Sequence, residues 1–255
     1  MIRVAAVGDL HVGSDAVAAW REALAPVSHT ADLLLLAGDL TRSGTLEDAA
    51  ALLEVLAPIS IPIAAVLGNH DFHAGHPARI AAQLERAGVA VLEGSSARYE
   101  IASLAVGVAG SKGFGGGFEG ACGSDFGEPE MKAFIRYTQS LADGLEAALA
   151  GLECDVRIAL LHYSPISDTL QGERLEIFPF LGSHLLGRAI DRAGADLVLH
   201  GHAHAGSEYG TTQSGIRVRN VAQPVIRRAY KLYCFASGVG RTADLPREAE
   251  GGCSS

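Results

Sequence analysis

The chain has 255 residues, of which 48% are hydrophobic and 19% are charged, and its formal net charge is -9. This length and composition are typical of a soluble globular protein with one large domain or two small ones. The acidic balance and the lack of a long basic block argue against a nucleic-acid-binding surface. They do not exclude an anionic substrate, because bound divalent metal ions can dominate the local field.

The N-terminal segment reaches Asp9 within a few residues of Met1 and has no signal-peptide pattern. No apolar stretch is long enough to span a bilayer. The four cysteines are scattered without a C-x-x-C pair, which argues against a zinc ribbon or a dithiol redox site. We therefore expect a cytoplasmic protein with no membrane partner.

The first half of the chain alternates apolar runs of strand length with helical patterns. The predicted strands are Ile2 to Val7, Leu33 to Leu36, Ile63 to Leu67 and Val89 to Leu92. The predicted helices are Ser14 to Leu24, Thr45 to about Leu56, and Pro77 to Ala87. Ser14 or Asp15 would cap the first helix, and Asp48 would complete the N-terminal cap of the second. This alternation predicts a largely parallel sheet flanked by helices.

The second half mixes strands, helices and two long loops. The predicted strands are Tyr99 to Ile101, Leu104 to Val108, Val156 to Leu161, Leu197 to Leu199, Ser207 to Tyr209, Ile216 to Val218 and Leu232 to Phe235. The predicted helices are Glu130 to Ala150 and His184 to Ala193, and the long loops are residues 110 to 127 and 163 to 183. No repeat or linker divides the chain, so we predict one domain over residues 1–240 and a flexible tail over residues 241–255.

Polar side chains cluster where the apolar runs end. They are Asp9 and His11, Asp39, Asn69 and His70, His162, and His202 and His204. In open α/β sheets the ligand site lies at the carboxyl ends of the strands, where these residues would meet. Oxygen and nitrogen donors without thiolates suit zinc, manganese or iron, and the set is large enough for two ions that share a carboxylate. Taken singly, Asp9, Asp39 and Asn69 could instead cap the helices that follow them.

The stretch from His200 to His204 presents histidines at alternating positions. On an extended backbone the three imidazoles would share one face of a strand. In a loop entered through Gly201 the backbone could turn and direct two of them at one point. His200 lies outside the motif described next, and we predict that it is packed inside the protein.

Five short motifs occur in order: Asp9-Leu10-His11, Gly38-Asp39, Gly68-Asn69-His70-Asp71, a lone His162, and Gly201-His202-Ala203-His204. Together they resemble the calcineurin-like metallophosphoesterase superfamily over residues 1 to about 220. The resemblance implies an α/β fold, a four-layer αββα sandwich of two mixed sheets flanked by helices. It also implies a binuclear metal site between the sheet ends.

The resemblance further implies a role for each motif residue. Asp9, His11 and His204 would hold one metal ion, Asn69, His162 and His202 would hold the other, and Asp39 would bridge the two. His70 would face the substrate, and Asp71 would orient His70. The two ions could be manganese, iron or zinc.

We therefore predict a metal-dependent phosphoesterase that hydrolyses a small phosphomonoester or phosphodiester by attack of a metal-bound hydroxide. A protonated His70 beside the leaving oxygen would act as the general acid. Two alternatives are a non-catalytic scaffold that keeps this fold for protein binding and a nuclease that uses the same site. Retention of every ligand disfavours the scaffold, and the acidic balance disfavours the nuclease.

The glycine-rich loop from Gly110 to Gly127 carries Lys112 at its start and three phenylalanines, Phe114, Phe118 and Phe126. We predict that this loop lies over the metal site and that Lys112 reaches the substrate side as a point charge for phosphate. The alternative is that the phenylalanines pack into the domain while Lys112 is solvated.

Overall fold

A computed structural model describes residues 1–236 of the protein. The predicted flexible tail, residues 241–255, lies outside the described residues. The single domain over residues 1–240 remains a prediction.

Thirteen strands occur within residues 1–236. In chain order they are β1 (Ile2–Val7), β2 (Leu33–Ala37), β3 (Ile63–Val66), β4 (Val89–Val91), β5 (Ser95–Ile101), β6 (Leu104–Ser111), β7 (Gly117–Phe118), β8 (Ala121–Cys122), β9 (Val156–Leu161), β10 (Leu197–His200), β11 (Tyr209–Thr211), β12 (Arg217–Asn220) and β13 (Lys231–Phe235).

The α-helices of the same residues are α1 (Val17–Leu24), α2 (Val27–Thr30), α3 (Leu46–Leu56), α4 (Asn69–Phe72), α5 (Pro77–Arg86), α6 (Pro129–Ala150), α7 (Phe178–Leu181), α8 (His184–Ala193) and α9 (Gln223–Ile226). Within residues 1–236, no helix is both long and apolar enough to cross a membrane.

The strands form two mixed sheets. The first has the order β13-β1-β2-β3-β4, in which β1 to β4 are parallel and β13 pairs antiparallel with β1. The second has the order β11-β12-β10-β9-β6-β5, with four parallel strands at its centre and antiparallel strands at both edges. The short strands β7 and β8 pair with each other.

Three apolar cores give the molecule its layers. The inner core lies between the two sheets and contains side chains of β1, β2 and β3 from one sheet and of β6, β9 and β10 from the other. A second core packs α1, α3 and α5 against the outer face of the first sheet. A third packs α6 and α8 against the outer face of the second sheet. The predicted αββα sandwich is therefore confirmed.

Most of the predicted elements are present, and the differences have local causes. Thr45 caps α3 by accepting a hydrogen bond from the Asp48 N–H, as predicted. The predicted first helix begins instead as a 3-10 turn at Ser14–Ala16 with no side-chain cap. The two long loops contain short strands and single helical turns, which are too brief to produce a periodic pattern.

The sheet register brings the motif segments to one end of the molecule. Val7 of β1 pairs with Leu36 of β2, and Ala37 of β2 pairs with Val66 of β3, so the loops that follow these strands are neighbours. In the second sheet, Leu160 of β9 pairs with Leu199 of β10. The carboxyl ends of five parallel strands thus meet around one site.

Candidate metal centre

Four of the seven non-glycine residues with positive φ in the described part of the chain belong to the predicted ligand set. They are Asp9 (φ 61°), His11 (φ 45°), Asp39 (φ 48°) and His202 (φ 71°). A left-handed backbone is strained for residues with a Cβ and persists only where the surroundings fix it, most often at functional sites. The sharp turns at the strand ends therefore place these side chains.

One group of potential donor atoms comes from Asp9, His11, Asp39 and His204, which we call the first donor set. Each residue offers one nitrogen or oxygen atom, and these atoms all lie within 4.8 Å of one another. Asp9 Oδ1 is 2.8 Å from His204 Nε2, and His11 Nε2 is 3.9 Å from Asp39 Oδ2. Both carboxylates are buried, with exposures of 3% for Asp9 and 1% for Asp39.

A second group, the second donor set, comes from Asp39, His162 and His202, and its donor atoms also lie within 4.8 Å of one another. Asn69 joins it through Oδ1, which is 2.9 Å from His162 Nε2. Asp39 Oδ1 is 3.3 Å from the same nitrogen. Asp39 belongs to both sets, so the structure brings together all seven residues that the sequence proposes as ligands.

The hydrogen bonds of His162 indicate that a cation fits the second donor set. Its ring is fully buried, which lowers its pKa well below the ordinary value and keeps it neutral. His162 Nδ1 lies 2.9 Å from the carbonyl oxygen of Ala37, so Nδ1 carries the proton and donates it there. Nε2 is then an acceptor that faces the oxygens of Asn69 and Asp39. Converging acceptor atoms with no donor between them suit a bound metal ion.

Burial shifts the pKa values of two further ligand candidates, His11 and His202, in the same direction. It lowers the pKa of His11 to about 4 and that of His202 to about 3. Burial also raises the pKa of Asp9 to about 6, although the hydrogen bond from His204 opposes this change and raises the pKa of His204 itself. Neutral imidazole is the form that ligates metals, and a bound cation would favour the ionised form of Asp9.

His70 lies at the edge of the two sets, half-exposed, with Nε2 3.9 Å from Asp39 Oδ2. Its ring centroid is 4.4 Å from that of His11. His70 Nδ1 is 2.7 Å from the carbonyl oxygen of Arg42, so this backbone group orients the ring. The main-chain N–H of His70 also donates to Asp39 Oδ1 at 2.8 Å.

Within residues 1–236 the Asp71 carboxylate makes no hydrogen bond to the His70 ring, and the orienting role that the resemblance implied for it stays a prediction. Its fully buried carboxylate accepts hydrogen bonds from the main-chain N–H groups of Leu40, Thr41 and Gly68 and from the Thr41 hydroxyl, at 2.6–3.2 Å. These bonds join the loop after β2 to the loop after β3. Asp71 can therefore affect His70 through the backbone that leads to Arg42 and through the start of α4.

Three motif glycines have a structural role that the sequence reasoning missed. A Cβ at Gly68 would lie 2.1 Å from Asp39 Oδ1, and one at Gly201 would lie 2.3 Å from Asp9 Oδ2. A Cβ at Gly38 would lie 2.5 Å from His162 Nδ1. The glycines thus leave room for the neighbouring strand's ligand side chain. In the sequence, each of these glycines directly precedes a motif residue, and this position could have indicated the role.

The histidine stretch adopts the loop alternative. Strand β10 ends at His200, and the chain then turns through Gly201, so that His202 and His204 belong to different donor sets. His200 is fully buried and contacts Thr169 Oγ1 at 2.8 Å through Nε2, as expected for a packed residue.

Lys112 lies beside the second donor set but is only 3% exposed. Its Nζ donates to the carbonyl oxygen of Gly113 at 3.0 Å, and its own carbonyl oxygen accepts the His162 N–H at 3.2 Å. Its ammonium group is therefore not solvated, and contact between Lys112 and the substrate stays a prediction. Phe114 and Phe118 of the same loop pack inside, whereas Phe126 is 82% exposed.

Comparison with known proteins identifies the family and agrees with this fold. The family model for calcineurin-like phosphoesterases matches residues 2–206, and the chain belongs to this family. Comparison with curated protein sequences gives no significant match.

Several solved structures share the fold. A phosphopantetheinyl hydrolase from Mycobacterium tuberculosis has 14% identity and a TM-score of 0.64, covering 93% of this chain and 97% of that one. A protein from Thermus thermophilus has 20% identity and a TM-score of 0.52, covering 86% of this chain and 88% of that one. A putative 5'-nucleotidase from Staphylococcus aureus has 14% identity and a TM-score of 0.50, covering 86% of this chain and 48% of that one.

Proposed function

We propose that the protein hydrolyses phosphate esters at a centre of two metal ions. The observation that carries this proposal is the pair of donor sets that share the buried carboxylate of Asp39. Membership of the calcineurin-like phosphoesterase family supports the same reaction class. The hydrolase named among the structural neighbours supports it only by analogy of fold.

In this proposal Asp9, His11 and His204 would hold one ion, Asn69, His162 and His202 would hold the other, and Asp39 would serve both. Nitrogen and oxygen donors without a thiolate favour manganese, iron or zinc. When bound, two such ions supply positive charge for the phosphoryl oxygens and activate water as the nucleophile. The protein supplies ligand side chains in fixed positions, and the carboxylates among them are buried.

His70 is proposed as the general acid. The bond from Nδ1 to the Arg42 carbonyl leaves Nε2 facing the donor sets. A proton held at Nε2 can pass to the leaving oxygen of the ester as the P–O bond breaks, which is worth roughly 10²–10⁴-fold in rate. His70 is not a member of either donor set, so its role in chemistry is separable from metal binding.

Asp71 is proposed to position this acid indirectly. By accepting the N–H groups of Leu40 and Thr41, it fixes the turn that leads to Arg42. By accepting the Gly68 N–H, it fixes the start of α4, which carries Asn69 and His70. One buried carboxylate thus holds both segments that orient the His70 ring.

The test is hydrolysis of chromogenic phosphomonoesters and phosphodiesters by the protein after metal removal and after reconstitution with manganese, iron or zinc. We expect activity that requires metal and is lost in Asp39→Asn. His73→Ala is the matched control, because His73 is an exposed histidine outside both donor sets. Absence of turnover with every metal and both ester types would favour the scaffold alternative. Activity confined to nucleic acid would favour the nuclease.

A further inference from the structure

The ammonium group of Lys112 sits inside a cluster of aromatic rings, which we call the lysine cage. The ring centroids of Phe72, Phe114, Tyr137 and Tyr163 lie 4.8–5.4 Å from Lys112 Nζ. Among the described residues no carboxylate forms an ion pair with this ammonium, and its one hydrogen bond goes to Gly113. The ring faces surround the charge at close range, and the carboxylates of Glu93 and Asp39 favour the charged form from farther away.

The cage has an inner and an outer side. Tyr163 is buried and its ring centroid is 4.3 Å from that of His202, so it joins the cage to the second donor set. Phe72 and Tyr137 are the outer members, with exposures of 38% and 42%. Phe72 is the last residue of α4, the turn that begins with Asn69 and His70. The outer rings therefore form a wall next to the metal centre.

The buried charge changes what these outer rings can bind. An aromatic face carries negative potential, and the ammonium occupies that potential from the inner side. The ring is then a weaker partner for a second cation and a better one for a flat, electron-rich group. Exposed aromatic rings at a binding site also stack well on planar bases, whatever the base sequence.

We propose, on the basis of the phosphoesterase function proposed above, that Phe72 and Tyr137 bind a planar, electron-rich group on the non-phosphate part of the substrate, such as a nucleobase. The substrate class is then a nucleotide-like phosphate ester. The phosphate lies at the donor sets, and the planar group lies against the cage. Lys112 acts from beneath the rings and does not touch the substrate.

The first measurement compares kcat/KM for adenosine 5'-monophosphate with that for glycerol 3-phosphate, two monoesters with alcohol leaving groups. We expect the wild-type protein to prefer the nucleotide. Replacing Phe72 and Tyr137 together by leucine, which keeps apolar bulk without a ring, should reduce this preference about tenfold. Hydrolysis of glycerol 3-phosphate and metal content should not change. Phe126→Leu is the control, because Phe126 is exposed and makes no ring contact with the cage among the described residues.

The second measurement is independent of catalysis. Saturation-transfer NMR should detect adenosine on the wild-type protein and on Phe126→Leu, and the signal should disappear in the double variant. Should the double variant fail to fold, Phe72→Leu alone carries both measurements. An unchanged nucleotide preference, an unchanged adenosine signal, or an equal preference for octyl phosphate would overturn the proposal. Failure to hydrolyse either ester with the adenosine signal intact would support the aromatic binding site and would instead count against phosphomonoester hydrolysis.

Discussion

Replacing Lys112 with methionine should stabilise the protein, because the lysine carries a buried charge without an ion-pair partner. Burial lowers the pKa of Lys112 from 10.5 to about 8, which corresponds to about 3 kcal/mol against the charged form. Cation–π contacts with the four rings stabilise the charged form by about 1–2 kcal/mol. A methionine thioether also packs well against aromatic rings. We therefore expect Lys112→Met to raise the free energy of unfolding by about 1–2 kcal/mol at pH 7.

The effect should depend on pH in a defined direction. The folded pKa lies below the unfolded one, so the penalty in the wild-type protein is complete below pH 8. It declines as the pH rises from about 8 to 10.5, because the folded protein releases this proton first. The advantage of Lys112→Met should decline over the same range.

Urea unfolding of the metal-free protein at pH 7 and at pH 10, followed by circular dichroism, measures both effects. Lys132→Met is the control, because Lys132 is partly exposed on α6 and lies outside the cage. This substitution should change the free energy of unfolding by no more than about 0.5 kcal/mol. A Lys112→Met protein that is less stable than wild type at pH 7 would refute the account of a buried charge that its surroundings compensate only in part. An advantage that persists undiminished at pH 10 would also refute it.

Three further changes test the site. His70→Ala should keep near-normal metal content and lower the rate ~10²-fold or more, with a smaller loss for esters with acidic leaving groups; an equal loss for all leaving groups would contradict the general-acid role. Asp71→Asn should lower the free energy of unfolding, measured by chemical denaturation, by about 2–3 kcal/mol, because an amide cannot accept hydrogen bonds from all four donors. An unchanged free energy of unfolding would contradict the role of Asp71 in joining the two loops. Gly201→Ala should reduce metal content, measured by mass spectrometry, because its Cβ would displace the Asp9 carboxylate; full occupancy would show that the site adapts.

The alternation of apolar runs and helical patterns predicted a largely parallel sheet flanked by helices, whereas the four-layer arrangement of two sheets followed only from the resemblance to the metallophosphoesterase superfamily. Apolar runs such as Ile2–Val7 and Val156–Leu161 mark buried strands, and polar residues directly after them fall at the carboxyl ends of parallel strands. The clustering of Asp9 and Asp39 was predictable on these grounds, whereas their roles as metal ligands remain proposals.

The environments of Asp71 and Lys112 could not be predicted, because they depend on contacts between distant segments. Asp71 meets Leu40 and Thr41 only when two motif loops pack together. Lys112 is buried because Tyr137 of α6 and Tyr163 after β9 enclose it. Neither pairing leaves a periodic signal in the chain. The sequence reasoning therefore placed Lys112 on the substrate side, with a solvated lysine as the alternative, and did not anticipate its burial.

The central claim is that two metal ions share Asp39, and metal stoichiometry tests it most directly. Inductively coupled plasma mass spectrometry of the reconstituted protein should find two ions per chain in the wild type and in His73→Ala. Asp39→Ala should lose at least one equivalent together with hydrolytic activity, because both donor sets use this carboxylate. An Asp39→Ala protein that retained two ions and normal turnover would contradict the account.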